Sequence, residues 1–188
     1  VSGWNTAKVP DMSGMFFECS ALTRLDLSGW NTSNVTDMRQ MFKGCASLTT
    51  VGDLSGWKTA KVADMSGVFY GCSKLTSLNL SGWDTSGVTD MNNMFRDCKA
   101  LTTVGDLSGW NTAKVTDMSD MFGECGALTS VDVSGFDTAK VTDMNNMFRN
   151  CSALTSLDVS GWNTFNVTGM SSMFESCSSL TSLDLSSW

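Results

Sequence analysis

A repeat of 26 or 27 residues runs through the whole chain and constrains its fold more than any other feature. Tryptophan recurs in the same register as cysteine, with Phe136 filling the one gap. One period cannot bury enough apolar surface to offset the entropy lost when its residues are ordered. The periods must therefore share a core by stacking on one another, which predicts a solenoid. The cysteines are Cys19, Cys45, Cys72, Cys98, Cys125, Cys151 and Cys177.

Each period divides into two halves with different periodicities. In the first half, segment 38–45 carries Met, Met, Phe and Cys at i, i+3, i+4 and i+7, the spacing of one helical face. Asp37 directly precedes this segment and is predicted to cap the helix. The second half reads L-x-x-L-x-L with polar residues interleaved, which predicts a strand with one buried face.

These halves predict an α/β fold, namely a leucine-rich-repeat-like solenoid of about seven 26–27-residue coils. A parallel β-sheet is expected on one face and short helices on the other. Two periods contain an extra residue, Gly52 and Gly105, which predicts a bulge in each. Residues 1–188 are expected to form one repeat array, a fragment cut in mid-repeat at both ends with no cap, signal or anchor in view. Apolar cross-sections at such ends predict some end-to-end self-association.

The composition argues against most catalytic and charged-partner functions. The chain has no histidine, which excludes Ser-His and Cys-His catalysis and histidine-ligated metals. Its net charge of −7 argues against nucleic acid and anionic membranes as partners, and no membrane-spanning run is visible. Neither C-x-x-C nor a D-x-D-x-D-G calcium loop occurs. We therefore expect no catalytic residue, cofactor or metal, and no enzyme.

Positions that recur between periods are called columns here, and the cysteine and tryptophan columns are predicted to be structural. Parallel Cβ vectors one coil apart do not suit a disulfide, so a ladder of buried free thiols is expected. The tryptophans follow the strand and are expected to pack in the core, where each indole N–H needs an acceptor. This column contains Trp30, Trp57, Trp83, Trp110 and Trp162.

Aspartate forms two further columns. One precedes the predicted helices, and the other alternates with serine along the predicted strand and should point outward. Two interpretations of the outward column stay open: its carboxylates accept hydrogen bonds from serine hydroxyls and turn amides, or they form a ridge that binds a basic or cation-assisted ligand. On the second interpretation the strand face is the ligand-binding face. Its residues are Asp26, Asp53, Asp106, Asp132, Asp158, Asp184, Ser28, Ser55, Ser81, Ser108, Ser134 and Ser160.

The motifs L-D-L-S-G-W, N-V-T-D-M and M-F-x-x-C, seen at 25–30, 34–38 and 41–45, resemble one known family. They are similar to the BspA-like, leucine-rich-repeat-related arrays of bacterial surface proteins, found also in Listeria- and Mycoplasma-type lipoproteins. The resemblance covers nearly every period. It implies an extracellular, surface-anchored bacterial protein that mediates adhesion without catalysis. The implied partner is a protein or glycan of a host, of a neighbouring cell or of the matrix.

Two other functions remain open from the sequence. The array could be a purely architectural spacer, or the regular threonine columns that contain Thr6 and Thr23 could bind ice. The solvent-facing positions of the predicted helices, such as Lys43-Gly44 and Tyr70-Gly71, vary most between periods. No single patch among them stands out as a binding site.

Overall fold

A computed structural model describes residues 4–188 and shows coils that stack in register, one repeat to a coil. Each coil consists of turns joined by short extended stretches. No α-helix and no continuous β-strand occurs within residues 4–188. Isolated parallel bridges connect equivalent positions of successive coils, and one row of them runs along the solenoid. That row joins Asp11 to Asp37, Asp37 to Asp64, Asp64 to Asp90, Asp90 to Asp117, Asp117 to Asp143 and Asp143 to Gly169.

The segment from the bridging residue to the cysteine, called the turn segment, corrects the predicted helix. In the segment 90–98, the amides of Met94, Arg96 and Cys98 donate to carbonyls three residues earlier, at 3.3, 3.1 and 3.1 Å. These bonds close three successive β-turns. Asn93 and Asp97 take the third position of two of them, with left-handed φ of 56° and 61°. The chain therefore forms a ribbon of turns where the spacing predicted a helix.

The alternate amides of the turn segment explain why the helix does not form. An isolated helix of this length is marginal, because few of its amides gain partners within the segment. Here those amides donate to the next coil, so stacking satisfies them more fully than a short helix would. In the central pair of coils the donors are Met91, Asn93, Phe95 and Asp97, and their acceptors are the carbonyls of Asp117, Ser119, Met121 and Gly123 at 2.9–3.0 Å.

The leucine segment, which begins with L-T in every coil and reads L-T-S-L-N-L at 75–80, forms less sheet than its alternation predicts. Bridges occur only between Arg24 and Thr50 and between Ser77 and Thr103 within residues 4–188. The predicted parallel sheet is thus reduced to isolated contacts on this face. The inserted Gly52 has φ of 81°, and a Cβ there would lie 2.8 Å from Asp26 Oδ1. Only glycine suits this crowded left-handed position, which is the local distortion expected of a bulge.

The core consists of columns of identical side chains that stack from coil to coil. Phe42 lies 5.3 Å from Phe69 between ring centroids, with an interplanar angle of 4°. Trp57 lies 6.1 Å from Trp83, and its indole N–H donates to the Leu27 carbonyl at 3.1 Å. Equivalent indole bonds recur in the next coils. Trp57, Trp83, Trp110 and Trp162 thereby gain the acceptor that a buried indole needs, whereas the buried Trp30 Nε1 has no partner among residues 4–188.

Threonine supplies a second ladder inside the solenoid. The Thr85 hydroxyl donates to the Asn111 carbonyl at 3.0 Å and accepts the Asn111 amide at 2.8 Å. This column is buried, so its hydroxyls bind backbone rather than any external surface. The structure thus contradicts ice binding by this threonine column. The buried members are Thr6, Thr32, Thr59, Thr85, Thr112 and Thr138.

Candidate functional site

The outward Asp and Ser columns on the leucine segments form local hydrogen bonds. Asp158 Oδ1 accepts the Ser160 amide at 3.0 Å and the Ser160 hydroxyl at 2.7 Å. The bond from the serine amide to the aspartate Oδ1 recurs in the other coils that carry this pair. These bonds stabilise the ionised carboxylate and lower the pKa values of Asp26, Asp53, Asp106, Asp158 and Asp184.

Of the two interpretations of this face, the geometry supports the structural one directly. Each carboxylate closes a turn through Oδ1, and Asn79 Nδ2 relieves charge crowding by donating to Asp53 Oδ1 at 3.2 Å. The side chains remain exposed, except that Ser55 is half-buried. Within residues 4–188, no three Cys, Asp or Glu residues converge as metal ligands would. The ligand-binding role of this face stays a prediction.

The cysteines form a ladder of thiol-to-carbonyl contacts. Cys98 Sγ lies 3.1 Å from the Phe69 carbonyl oxygen of the preceding coil, and each coil from Cys45 to Cys177 repeats this contact. All seven thiols are free. Burial raises the pKa of Cys45 to about 11 and that of Cys151 to about 12. Such thiols are poor nucleophiles because little thiolate is present.

We expect one cysteine of the seven to react rapidly with a thiol reagent in the native protein. Cys19 is exposed and Cys177 is half-buried, whereas the other five are buried. Ellman's reagent at mildly alkaline pH should therefore give one fast equivalent and release the others only on unfolding. Cys19→Ser should abolish the fast phase. Rapid reaction of several thiols in that variant would contradict the packed cysteine ladder.

The bridging aspartates hold the start of each turn segment. Asp90 Oδ1 accepts the amide and side-chain N–H groups of Asn92 at 2.9 and 2.7 Å. Burial raises the Asp90 pKa, and the like charges of Asp64 and Asp117 raise it further. The predicted cap role is thus corrected: these carboxylates close turns next to a backbone bridge.

Asp90→Asn is expected to increase the free energy of unfolding by about 0.2–1 kcal/mol at neutral pH, because it removes like-charge repulsion and keeps the acceptor oxygen. The folded pKa lies above the ordinary 3.8, so the charge penalty is full above the folded pKa and vanishes below 3.8. The gain should disappear at that acidity. Denaturant titrations at neutral pH and below pH 3.8 measure this gain in the free energy of unfolding. Asp158→Asn, whose carboxylate has a lowered pKa, is the control and should give no such gain.

The least uniform column lies on the outer side of the turn segments, directly after the M-F pair. Lys43 Nζ lies 5.4 Å from the Phe17 ring centroid and 5.1 Å from that of Tyr70. Arg96 lies 5.6 Å from Tyr70 and pairs with Asp120 at 3.2 Å. The sequence showed that these positions vary between repeats, but it gave no reason to expect their side chains to contact one another. This outer column comprises Phe17, Lys43, Tyr70, Arg96, Gly123, Arg149 and Glu175.

The residues that the structure describes contain no helix long and apolar enough to cross a membrane.

Comparison with known proteins gives one family and several solved structures. The chain matches the family described as "Mycoplasma protein of unknown function, DUF285" over residues 1–65, 48–131 and 91–188. No curated protein matches it. A leucine-rich repeat protein from Eubacterium ventriosum is 22% identical with a TM-score of 0.49, over 92% of this chain and 35% of that one. The T. pallidum leucine-rich repeat protein is 22% identical with a TM-score of 0.46, over 78% and 72%. The chain thus spans about a third of the length of the Eubacterium protein.

Proposed function

The chain belongs to the DUF285 family of Mycoplasma/BspA-like repeat proteins, and from that premise we propose that it is a non-enzymatic binding protein of the bacterial cell surface that mediates adhesion. The resemblance predicted from its motifs is thereby confirmed. The solenoid would present an extended face to a surface or matrix protein or glycan. Many weak contacts along one rigid array can sum to a high avidity.

The outer column is the observation that carries this proposal. Core columns repeat the same residue in nearly every coil, because each must stack on its own copy. The outer column instead passes through aromatic, basic, small and acidic residues, although each coil places them on the same backbone. Stacking therefore does not dictate these side chains. In repeat proteins, the face that differs from repeat to repeat is often the binding face.

A solid-phase assay with two matched variants tests the proposal. The chain is titrated against immobilised fibronectin, fibrinogen, collagen and mucin, and saturable binding to at least one is expected. In the first variant, Lys43, Tyr70 and Arg149 become serine, which alters the outer column. In the second, Asp106, Asp132 and Asp158 become asparagine, which keeps their turn-closing oxygens.

Loss of binding in the first variant alone assigns the ligand to the outer column. Loss in the second alone assigns it to the outward aspartates, as the sequence predicted, and EDTA sensitivity would add a cation. Circular dichroism checks that both variants remain folded. No binding to any of the four targets would contradict the adhesion proposal and favour an architectural spacer.

A further inference from the structure

A notch in the outer face lies where three successive coils meet. Its volume is about 160 Å³, and it is lined by Glu18, Lys43, Gly44, Tyr70 and Gly71. Pockets that enclose a drug-sized ligand measure roughly 300–1,000 Å³, so this notch has room for one ring of a larger ligand.

The two glycines of the notch are not required by the backbone. Gly44 and Gly71 have φ of 77° and 75°. The same position in other coils is filled by residues with side chains and left-handed φ between 57° and 64°. A Cβ on Gly71 would lie 3.5 Å from the Gly44 nitrogen, an ordinary contact. Gly71 therefore leaves open space, whereas a Cβ on Gly44 would lie 3.0 Å from Glu18 Cδ, so that Gly44 makes room for the Glu18 carboxylate. Their counterparts in the other coils are Glu18, Asp97, Glu124, Asn150 and Ser176.

Three polar side chains border this space without a hydrogen bond or ion pair to any residue in 4–188: the Glu18 carboxylate, the Lys43 ammonium and the Tyr70 hydroxyl. Elsewhere on the outer face such groups are paired. Arg149, for example, lies 3.3 Å from Glu124 and 3.6 Å from Glu175. The notch thus offers an acceptor, a donor and a group that both donates and accepts.

The aromatic ring itself is held in place by charge. Lys43 approaches the Tyr70 ring from the preceding coil and Arg96 from the following coil, at 5.1 and 5.6 Å. Both contacts are within cation–π range and restrain the ring. The phenol hydroxyl is therefore the part of Tyr70 that remains available to a ligand.

We propose that this notch binds one neutral pyranose ring of a glycan, a proposal that rests on the binding function above and names its ligand class. The charges of Glu18 and Lys43 cancel, so the notch does not select a charged ligand. Hydroxyl groups of a sugar can donate hydrogen bonds to the Glu18 carboxylate and accept them from the Lys43 ammonium. They can also donate to and accept from the Tyr70 hydroxyl. The ring would occupy the space above Gly71, beside the Glu18 carboxylate, where other coils carry side chains.

Saturation-transfer NMR titrations of the whole chain with methyl glycosides of glucose, mannose, galactose and N-acetylglucosamine test this proposal. At least one is expected to bind with a dissociation constant on the order of millimolar, as befits a ligand of this size. Gly71→Asn should weaken that binding at least tenfold by filling the notch. Asn occupies the equivalent position at Asn150 with φ of 57°, so the variant is expected to fold. Tyr70→Phe and Glu18→Gln should each weaken binding several-fold.

The matched control is Asn150→Gly, which opens the same backbone position three coils away and should leave pyranoside binding unchanged. Equal binding by the native chain and Gly71→Asn, or no binding of any glycoside, would overturn the proposal. Binding of a matrix protein without binding of any glycoside would contradict the proposed sugar site in the notch, but not the adhesion proposal. Absence of both would contradict both.

Discussion

Trp83→Ala is expected to lower the free energy of unfolding by about 3–5 kcal/mol, the range found when a large buried aromatic side chain is truncated. Trp83 is only 2% exposed and lies 6.1 Å from Trp57 and 6.4 Å from Phe69 between ring centroids. Its indole N–H donates to the Leu54 carbonyl at 3.0 Å. The substitution removes the stacking, the buried area and this hydrogen bond together. Because each coil contacts only its neighbours, the cavity interrupts the solenoid at its centre.

Trp83→Phe is the control, because the same column already contains a phenylalanine. Phe136 occupies the same position two repeats after Trp83, and its ring centroid lies 6.4 Å from that of Trp110 and 6.5 Å from that of Trp162. Phenylalanine therefore fits the column, and the loss should be about 1–2 kcal/mol, mainly from the missing indole bond. Guanidinium titrations followed by far-ultraviolet circular dichroism measure both variants. Equal losses for Ala and Phe would contradict the importance of aromatic stacking.

Thr85→Val is expected to lower the free energy of unfolding by about 2–3 kcal/mol, although it nearly preserves the shape of the side chain. The Thr85 hydroxyl is fully buried and bonds both the amide and the carbonyl of Asn111. Valine fills the same space but leaves both backbone groups without that partner. The loss therefore reports the hydrogen bonds rather than a cavity.

Thr85→Ser keeps the hydroxyl and removes only a methyl group, so its loss should be about 1 kcal/mol. The same denaturant titration compares the two variants. A larger loss of unfolding free energy for Ser than for Val would mean that the methyl contact, not the hydroxyl ladder, stabilises this part of the coil.

The repeat predicted the residues that lie inside the solenoid better than it predicted their backbone. Met91, Met94, Phe95 and Cys98 are all fully buried, as the i, i+3, i+4, i+7 spacing requires of one face. The same spacing suits a ribbon of turns that projects alternate groups inward, so burial alone could not exclude a helix. The missed evidence was the second residue after each Met of the D-M motif. In five of the seven repeats it is Gly, Asn or Asp, residue types that favour left-handed φ, and Gln40 and Ser172 fill the other two.

The candidate site likewise combines features that the sequence predicted with features that only the structure showed. The outward aspartates were recognisable because they recur, and the sequence also named their local partner, serine. The notch depends on Glu18, Lys43 and Tyr70 from three different periods. Nothing in a single period shows that their side chains border one space. Their proximity follows only from the stacking of one coil directly on the next.

By itself, the sequence determined that this chain is a stacked array, because periodic apolar residues have no other way to share a core. It also determined the register, since a shift by one residue would place polar side chains against the Trp, Phe and Cys columns. Only the tertiary structure decided between helix and turns. The amides of Met91, Asn93, Phe95 and Asp97 find acceptors in the next coil. The neighbouring coil thus favours the turns over a helix, and the local secondary-structure propensity of the segment does not include this contribution.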